Sequence, residues 1–475
     1  MTNRVVTILL IVLVTAALLG EAARHVVEPE GRWQQWLQLL VAQQVADTLD
    51  REVQLGPITD ISLEGVTARS LAIAEGGALE DGAVIRAEQL RIAFDLPGIL
   101  RQEVAPAAGI SEVQLDTAWI HAVRDPQGDL NVEQLVPEPV GPPPPPEDRF
   151  QGVVTMADSV IVYDDHTVDT VTGAPLNVEL AGIDAEIDMR EIGWAQIDLS
   201  AYERLGRFGR ISVRGQTELE SGFAWARASV GGIDAAYWFD TLVKAEGIDI
   251  QRGMVDVSGS VGVMPRGEGT PDTSVAADVR ITDAALTLDA LGGQQVRADA
   301  RLTGTMDGAQ IHGLDARMGG TTIEATGYVG DWENLVLDTT FDGRVARPKD
   351  LLELAPELPP ETREQIDAVG IDGPLLLSGR LVGPVERANL SAQIDLPRDV
   401  RYAHADLGEV VAGPTDLRVD LLDLADPNVR GRAQIARADP VDLEPLRASL
   451  PEDLEGPIEV APLEDVTADV LWSKE

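Results

Sequence analysis

The chain of 475 residues contains no cysteine. Disulfide scaffolds, thiolate zinc sites and cysteine nucleophiles are therefore excluded, although such a chain survives in either redox compartment. Lysine is almost missing as well: Lys244, Lys349 and Lys474 are the only ones. Against 37 basic residues stand 80 acidic ones, a formal charge of -43 that repels a phosphate backbone and argues against nucleic acid as a partner. Aromatic residues make up only 4%, little for the interior of a β-sandwich, while an apolar content of 44% is ordinary for a folded chain. Chemistry is scarce too. His25, His121, His166, His312 and His404 share no metal-ligand spacing, and Asp164-Asp165-His166 reads as a turn rather than a ligand set. The chain has no G-x-S-x-G elbow, phosphate-cradling loop or H-E-x-x-H motif. The expectation is a protein that is not an enzyme and carries neither cofactor nor metal.

What is present begins with Val5–Gly20, VVTILLIVLVTAALLG, in which Thr7 and Thr15 are the only polar residues. As a helix it would span about 24 Å, close to the hydrocarbon thickness of a bilayer. It reads as a signal anchor over residues 1–24, with a cleaved signal peptide as the alternative. Arg4 before it and Glu21, Glu28 and Glu30 after it place the remainder outside the cytoplasm. Residues 29–50 follow as an amphipathic helix, with Trp33, Trp36, Leu37, Leu40, Val41, Val45 and Leu49 on one stripe. That stripe would lie either on a membrane surface or over the open end of a sheet.

From residue 51 the period falls to two. In Ile85–Asp95 the residues Leu90, Ile92 and Phe94 oppose Gln89 and Arg91; Val113, Leu115 and Trp119 repeat the pattern before a turn at Arg124–Asp129. Residues 51–136 form one β-region. Pro137–Pro146, PEPVGPPPPP, is stiff and cannot enter a sheet interior, so 137–149 reads as a linker between this piece and the next. Beyond it the alternation is stricter: GIDAEIDMR sets Ile183 and Ile187 against Asp184 and Asp188, and NLSAQIDL sets Leu390, Ile394 and Leu396 against polar neighbours. Val279 and Ile281, and Leu335, Leu337 and Phe341, fall into the same scheme. PKDLLELAPELP at 348 recurs as PVDLEPLRASLP at 440, which marks a repetitive region over 150–475. Short helices are expected near 198–205, 234–245, 348–369 and 440–450.

One face of every strand is thus aliphatic and the other is wet. The aliphatic face must be hidden by a second sheet, by helices or by something that is not protein. Helices are too few for the strands they would cover. A strongly curved sheet can instead partly cover itself as a gutter suited to acyl chains.

LDREVQLGPITDISLEGVTARSLAIAE (49–75), GAVIRAEQLRIAFDLPGILR (82–101), ISEVQLDTAWIHAVRDPQGDLNVEQLV (110–136) and FQGVVTMADSVIVYDD (150–165) together resemble the N-terminal region of the TamB/AsmA-like family. The order of anchor, amphipathic helix, strand blocks, proline-rich break and long β-region is similar too. The likeness is good over about the first 170 residues and one of style beyond them. It implies a mainly β fold, a long curved antiparallel sheet forming an open U-shaped hydrophobic groove. It implies an inner-membrane protein anchored through residues 5–20, with its bulk in the periplasm of a diderm bacterium. The implied cargo is phospholipid passing between the two membranes, with a possible BamA-type outer-membrane partner. Family members are longer and end in a further β-domain, whereas this sequence stops at VLWSKE; either it is a fragment of a longer protein or another protein supplies the outer-membrane end. The expected groove lining is Leu90, Ile92, Phe94, Val113, Leu115, Trp119, Ile183, Ile187, Val279, Ile281, Leu335, Leu337, Phe341, Leu390, Ile394 and Leu396. Two other readings remain: a scaffold or chaperone for outer-membrane protein assembly or secretion, and a surface adhesin or β-solenoid stalk.

Overall fold

The computed structural model describes residues 51–473 except 102, 106, 136–144, 220, 244–246, 266–271, 290–292, 332–333, 347–368, 372–373, 385–386, 405–407, 423–427 and 443–461, together with six residues between 38 and 49. The protein is mainly β: open, unclosed and mostly antiparallel sheet. It divides into two compact units. The first comprises Met1–Ile233 with Tyr237–Lys244 and Val257–Val275, and the second Asp234–Ala236, Ala245–Asp256 and Ala276–Glu475.

The first unit is built on β1 (Val53–Leu55), β2 (Ile58–Ile61), β3 (Gly65–Ala68), β4 (Leu71–Ala74), β5 (Ala83–Phe94), β6 (Ile110–Arg124), β7 (Val153–Asp165), β8 (Leu176–Asp188), β9 (Trp194–Glu203), β10 (Arg210–Glu218) and β11 (Ala224–Asp234). β5 carries β3 and β4 end to end on one edge and β6 on the other, and β7 to β11 then pair in sequence order. β6 and β7 run parallel, Glu112 opposite Val153 and Arg124 opposite Asp165. A parallel neighbour demands a long crossover, and the proline run lies inside it. This corrects the expectation of a linker separating two pieces: the strands on either side of it are bonded to each other.

The crossover also fills the interior. Leu135 and Phe150 join Leu55, Ile58, Val66, Val84, Leu90, Ile92, Phe94, Ile110 and Met189 in one buried cluster. A short helix, α1 (Leu96–Leu100), adds Leu96 and Ile99; Asp95 caps it by accepting from the Gly98 N–H at 3.1 Å, and Pro97 suits its first turn. Of the amphipathic helix, the described residues Gln38, Leu39, Ala42, Gln43, Ala46 and Leu49 are helical. Leu49 is buried, Ala42 and Ala46 pack on the cluster, and Leu39 is exposed. Their i, i+4, i+7 spacing places one face on the open end of the sheet. Each large side chain so buried contributes about 1.5–3 kcal/mol.

Positive φ at Thr117 (52°), Asp158 (48°) and Gly182 (53°) falls at neighbouring points of β6, β7 and β8, where β6–β7 pairing is interrupted and the β7–β8 and β8–β9 registers shift. The freed Ala118 N–H donates to the wholly buried Ser159 hydroxyl at 3.0 Å, and Asp158 N–H donates to Asp184 at 3.3 Å. Such bulges sharpen the local twist of a sheet. A second helix, α2 (Ala235–Leu242), occupies the 234–245 stretch.

The helix expected at 198–205 is corrected to strand, since Trp194–Glu203 is β9. IDLSAYE alternates at period two, and β8 and β10 offer backbone partners on both edges, so tertiary pairing overrides the local helical reading. The helix expected at 348–369 lies outside the described residues but for its last residue, Val369. For 440–450, Pro440–Asp442 belong to a strand and the remainder is not described. Residues 1–24 are not described; among the described residues no helix is long and apolar enough to cross a membrane.

β12 (Ile248–Met264) and β13 (Asp272–Leu288) each contribute to both units. The second unit continues through β14 (Gln294–Thr305), β15 (Gly308–Met318), β16 (Thr321–Gly330), β17 (Val336–Val345), β18 (Val369–Ile371), β19 (Leu375–Pro384), β20 (Asn389–Leu396), β21 (Val400–His404), β22 (Gly408–Ala412), β23 (Thr415–Leu422), β24 (Asn428–Asp442) and β25 (Leu463–Ser473). Its main path is β13–β14–β15–β16–β17–β19–β20–β23–β24–β25, antiparallel throughout. A side branch, β18–β21–β22, joins the far end of β24.

Candidate functional site: an aliphatic strip in the second unit

Residues directly opposite one another in an antiparallel ladder share a face. Following the register from β13 to β23 gives three rows crossing the strands. One runs Val279, Leu302, Ile311, Gly327, Thr339, Leu381, Leu390 and Leu421. The middle row is Ile281, Ala300, Leu314, Ala325, Phe341, Gly379, Ala392 and Val419, continuing to Gly431 of β24. The third, starting at Ala298, runs Ala316, Ile323, Gly343, Leu377, Ile394 and Leu417 to Ala433. Thr339 is the single polar member of the three rows.

These side chains are half-buried, and the intervening residues along each strand are mostly exposed. None of them belongs to the buried cluster, all of whose members lie in the first unit. Apart from Ala235 and Ala236, which begin α2 near Gly253 and Ala284, the described elements of the second unit are strands. Neighbours within the sheet supply what shelter it has. At Gly379 the Phe341 ring leans so close that a Cβ would stand 2.5 Å from it, so the glycine makes room for the aromatic. At one end, Leu396, Thr415, Ile435 and Val466 border an open cleft of about 490 Å³ that also contains Asp395, Asp416 and Asp465.

The opposite face is polar and internally paired. Arg380 donates to both oxygens of Asp338 at 2.8 and 2.9 Å, and Arg432 to Asp469 at 2.7 Å. These bonds hold both carboxyls below their ordinary pKa. Thr326 meets Thr340 at 3.2 Å, and Ser391 donates to Asp420 at 2.6 Å. Carboxylates so placed are satisfied by arginine and hydroxyl donors on the outer face, away from the three aliphatic rows.

The expected groove lining divides. Val279, Ile281, Phe341, Leu390 and Ile394 lie on the strip; Leu337 is on the same face one row outside it, opposite Val329, and Leu396 stands at its end. Leu335 does not: it precedes β17 in a turn with φ of 46° and is exposed. Leu90, Ile92 and Phe94 are corrected to sealed core, because α1, the crossover and Ala42, Ala46 and Leu49 pack into the same cluster. Ile183 is wholly buried, and Val113, Leu115 and Ile187 pack against the same cluster. Trp119 lies beyond the break at Thr117, with Arg86 5.7 Å from its ring and His121 beside it. Half of the strip residues missed in the sequence are glycine and alanine positions, such as Gly343, Gly379 and Ala325. A small side chain leaves little mark on a hydropathy pattern, and only the register shows which row it occupies.

The Asp164-Asp165-His166 stretch ends β7 in a turn. Asp165 accepts from the Thr167 N–H (2.8 Å) and hydroxyl (2.6 Å) and from Tyr163 (2.7 Å); these bonds, the Thr167 hydroxyl first, lower its pKa to about 2. His121 meets Asp164 at 2.8 Å and Glu75 at 3.6 Å, tying three segments of the first unit. Comparison of the chain with protein-family models, with characterised proteins and with solved structures gives no match.

Proposed function

We propose that this protein binds the acyl chains of phospholipid on the aliphatic strip of its second unit and passes them along it between two membranes. The observation that carries this reading is three parallel rows of half-buried aliphatic side chains, continuous across eight or more strands, with the charged groups paired on the other face. A flat, shape-tolerant hydrocarbon surface selects for hydrocarbon and against defined polar ligands. The sequence resemblance to the TamB/AsmA-like family, and the apolar stretch Val5–Gly20, support an inner-membrane anchor with the β-region in the periplasm. A BamA-type outer-membrane protein is the partner proposed on the same resemblance. Transfer here is passive: the protein supplies a path, and the lipid gradient supplies direction.

Mass spectrometry of lipid carried by the purified full chain tests this. The wild type is expected to carry phospholipid, and Leu390→Asp with Ile394→Asp to lose it while its far-ultraviolet circular dichroism is kept. A double variant that unfolds, or one that retains its lipid, would count against an open lipid-binding strip.

A further inference from the structure

The wet faces of the strands are mostly Asp, Arg, Thr and Ser, and one corner of the first unit departs from that rule. At the end where β9 begins and β10 finishes, the β8–β9 and β10–β11 turns lie side by side, joined by the Leu219 N–H donating to the Gly193 carbonyl at 2.8 Å. Trp194 stands opposite Glu218, and Trp225 opposite Gln216 two residues away, so both tryptophans share a face. That face is the outer one, because Ala195, the neighbour of Trp194, is in the buried cluster. Phe223 meets Trp194 edge to face at 6.2 Å. At the turn tips Ile192 is 56% and Leu219 48% exposed, and Trp225 is 40% exposed. In a chain with so few aromatics, three have gathered where they serve no interior.

We infer that this corner docks on a zwitterionic lipid surface. Indole rings with aliphatic tips around them match the boundary between headgroups and acyl chains, where an amphipathic ring gains on both sides. Charge decides which surface. Arg190 is engaged by Asp188 and Arg214 by Asp198, and in the sequence Glu191, Glu218 and Glu220 outnumber Arg227, two residues from Trp225, which disfavours an anionic bilayer. The backbone bond between the two turns fixes them as one platform, so the apolar tips enter together. This corner is separate from the acyl-binding strip, and Ile192→Asp leaves the lipid recovered with the purified chain unchanged.

The absence of native cysteine makes the test direct. A polarity-sensitive dye is placed on the full chain through Ile192→Cys, Leu219→Cys or, as a control on a wet strand face, Glu324→Cys. Each is mixed with phosphatidylcholine vesicles brominated in their acyl chains. Dye at 192 and 219 is expected to be quenched about twofold by contact with the acyl boundary, with little change at 324. Adding Ile192→Asp to the Leu219→Cys chain is expected to abolish the quenching there, both positions being exposed enough to spare the fold. Dyes at 192 and 219 that stay in water at saturating vesicle would overturn the inference, as would quenching at 324 of the same size. A corner that contacts protein instead gives the first of these results.

Discussion

Ile92 in the first unit and Ile394 in the second occupy similar positions, each on the aliphatic side of an alternating strand between two bonded neighbours. Ile92 is 1% exposed and sits in a cluster; Ile394 is half-buried and belongs to none. The strands are not what differs. The first unit also has α1, Ala42, Ala46 and Leu49, and a crossover that drops Leu135 and Phe150 onto the sheet, while the described part of the second has strands and only the first two residues of α2. Charge follows the same division. Glu203 and Arg207 of the first unit pair with 0% and 10% side-chain exposure, with Tyr237 and Trp238 5.3 and 5.9 Å from the guanidinium. In the second unit, Asp338 and Arg380 pair in the open at 48% and 57%. Alternation therefore specifies a dry face and leaves open what lies on it.

The comparison can be broken most forcefully at the charges. Arg207→Ala strands the buried Glu203 carboxylate and removes the guanidinium that donates to the Tyr237 hydroxyl of α2 at 2.9 Å, while the Trp238 indole keeps its bond to the backbone carbonyl of residue 207. A loss of about 3–5 kcal/mol is expected in denaturant unfolding, against a much smaller one for Arg380→Ala, whose ion pair is open to water. Equal losses would mean that the two units bury charge alike.

Next comes the matched pair of isoleucines. Ile92→Ala is expected to cost about 2–5 kcal/mol through the cavity it leaves, and Ile394→Ala a good deal less, since water can fill the space. If the two cost the same, the strip has a cover and is not an open surface.

The smallest effect is acid-dependent and confined to the first unit. Asp165 has its pKa lowered to about 2 by the bonds from Thr167 and Tyr163. A depressed carboxyl adds stability above the unfolded value near 3.9 and loses it as the pH falls toward 2. Stability measured between pH 5 and 2 should thus fall less steeply in Asp165→Asn than in the wild type. Parallel curves would remove Asp165 from the acid response.

Much of this was legible beforehand. The period of two in GIDAEIDMR and NLSAQIDL marks β8 and β20, and the aliphatic set of β20 is the one that the register places on the strip. The helix expected at 198–205 is strand because so short a stretch fits either period; only pairing with β8 and β10 selects strand. The proline run announced a break without saying that its two flanks would lie together in parallel. Leu335 continues the alternation on paper yet falls in a turn, since a positive φ there ends the pattern one residue before β17.

The amino-acid order alone determined that this protein is sheet with one aliphatic side and one charged side, because side chains on a strand must alternate. Whether that aliphatic side is sealed, as around Ile92, or left half-open, as around Ile394, was decided only by tertiary structure. Burial depends on which distant segments arrive to cover a surface, and no local pattern records their arrival.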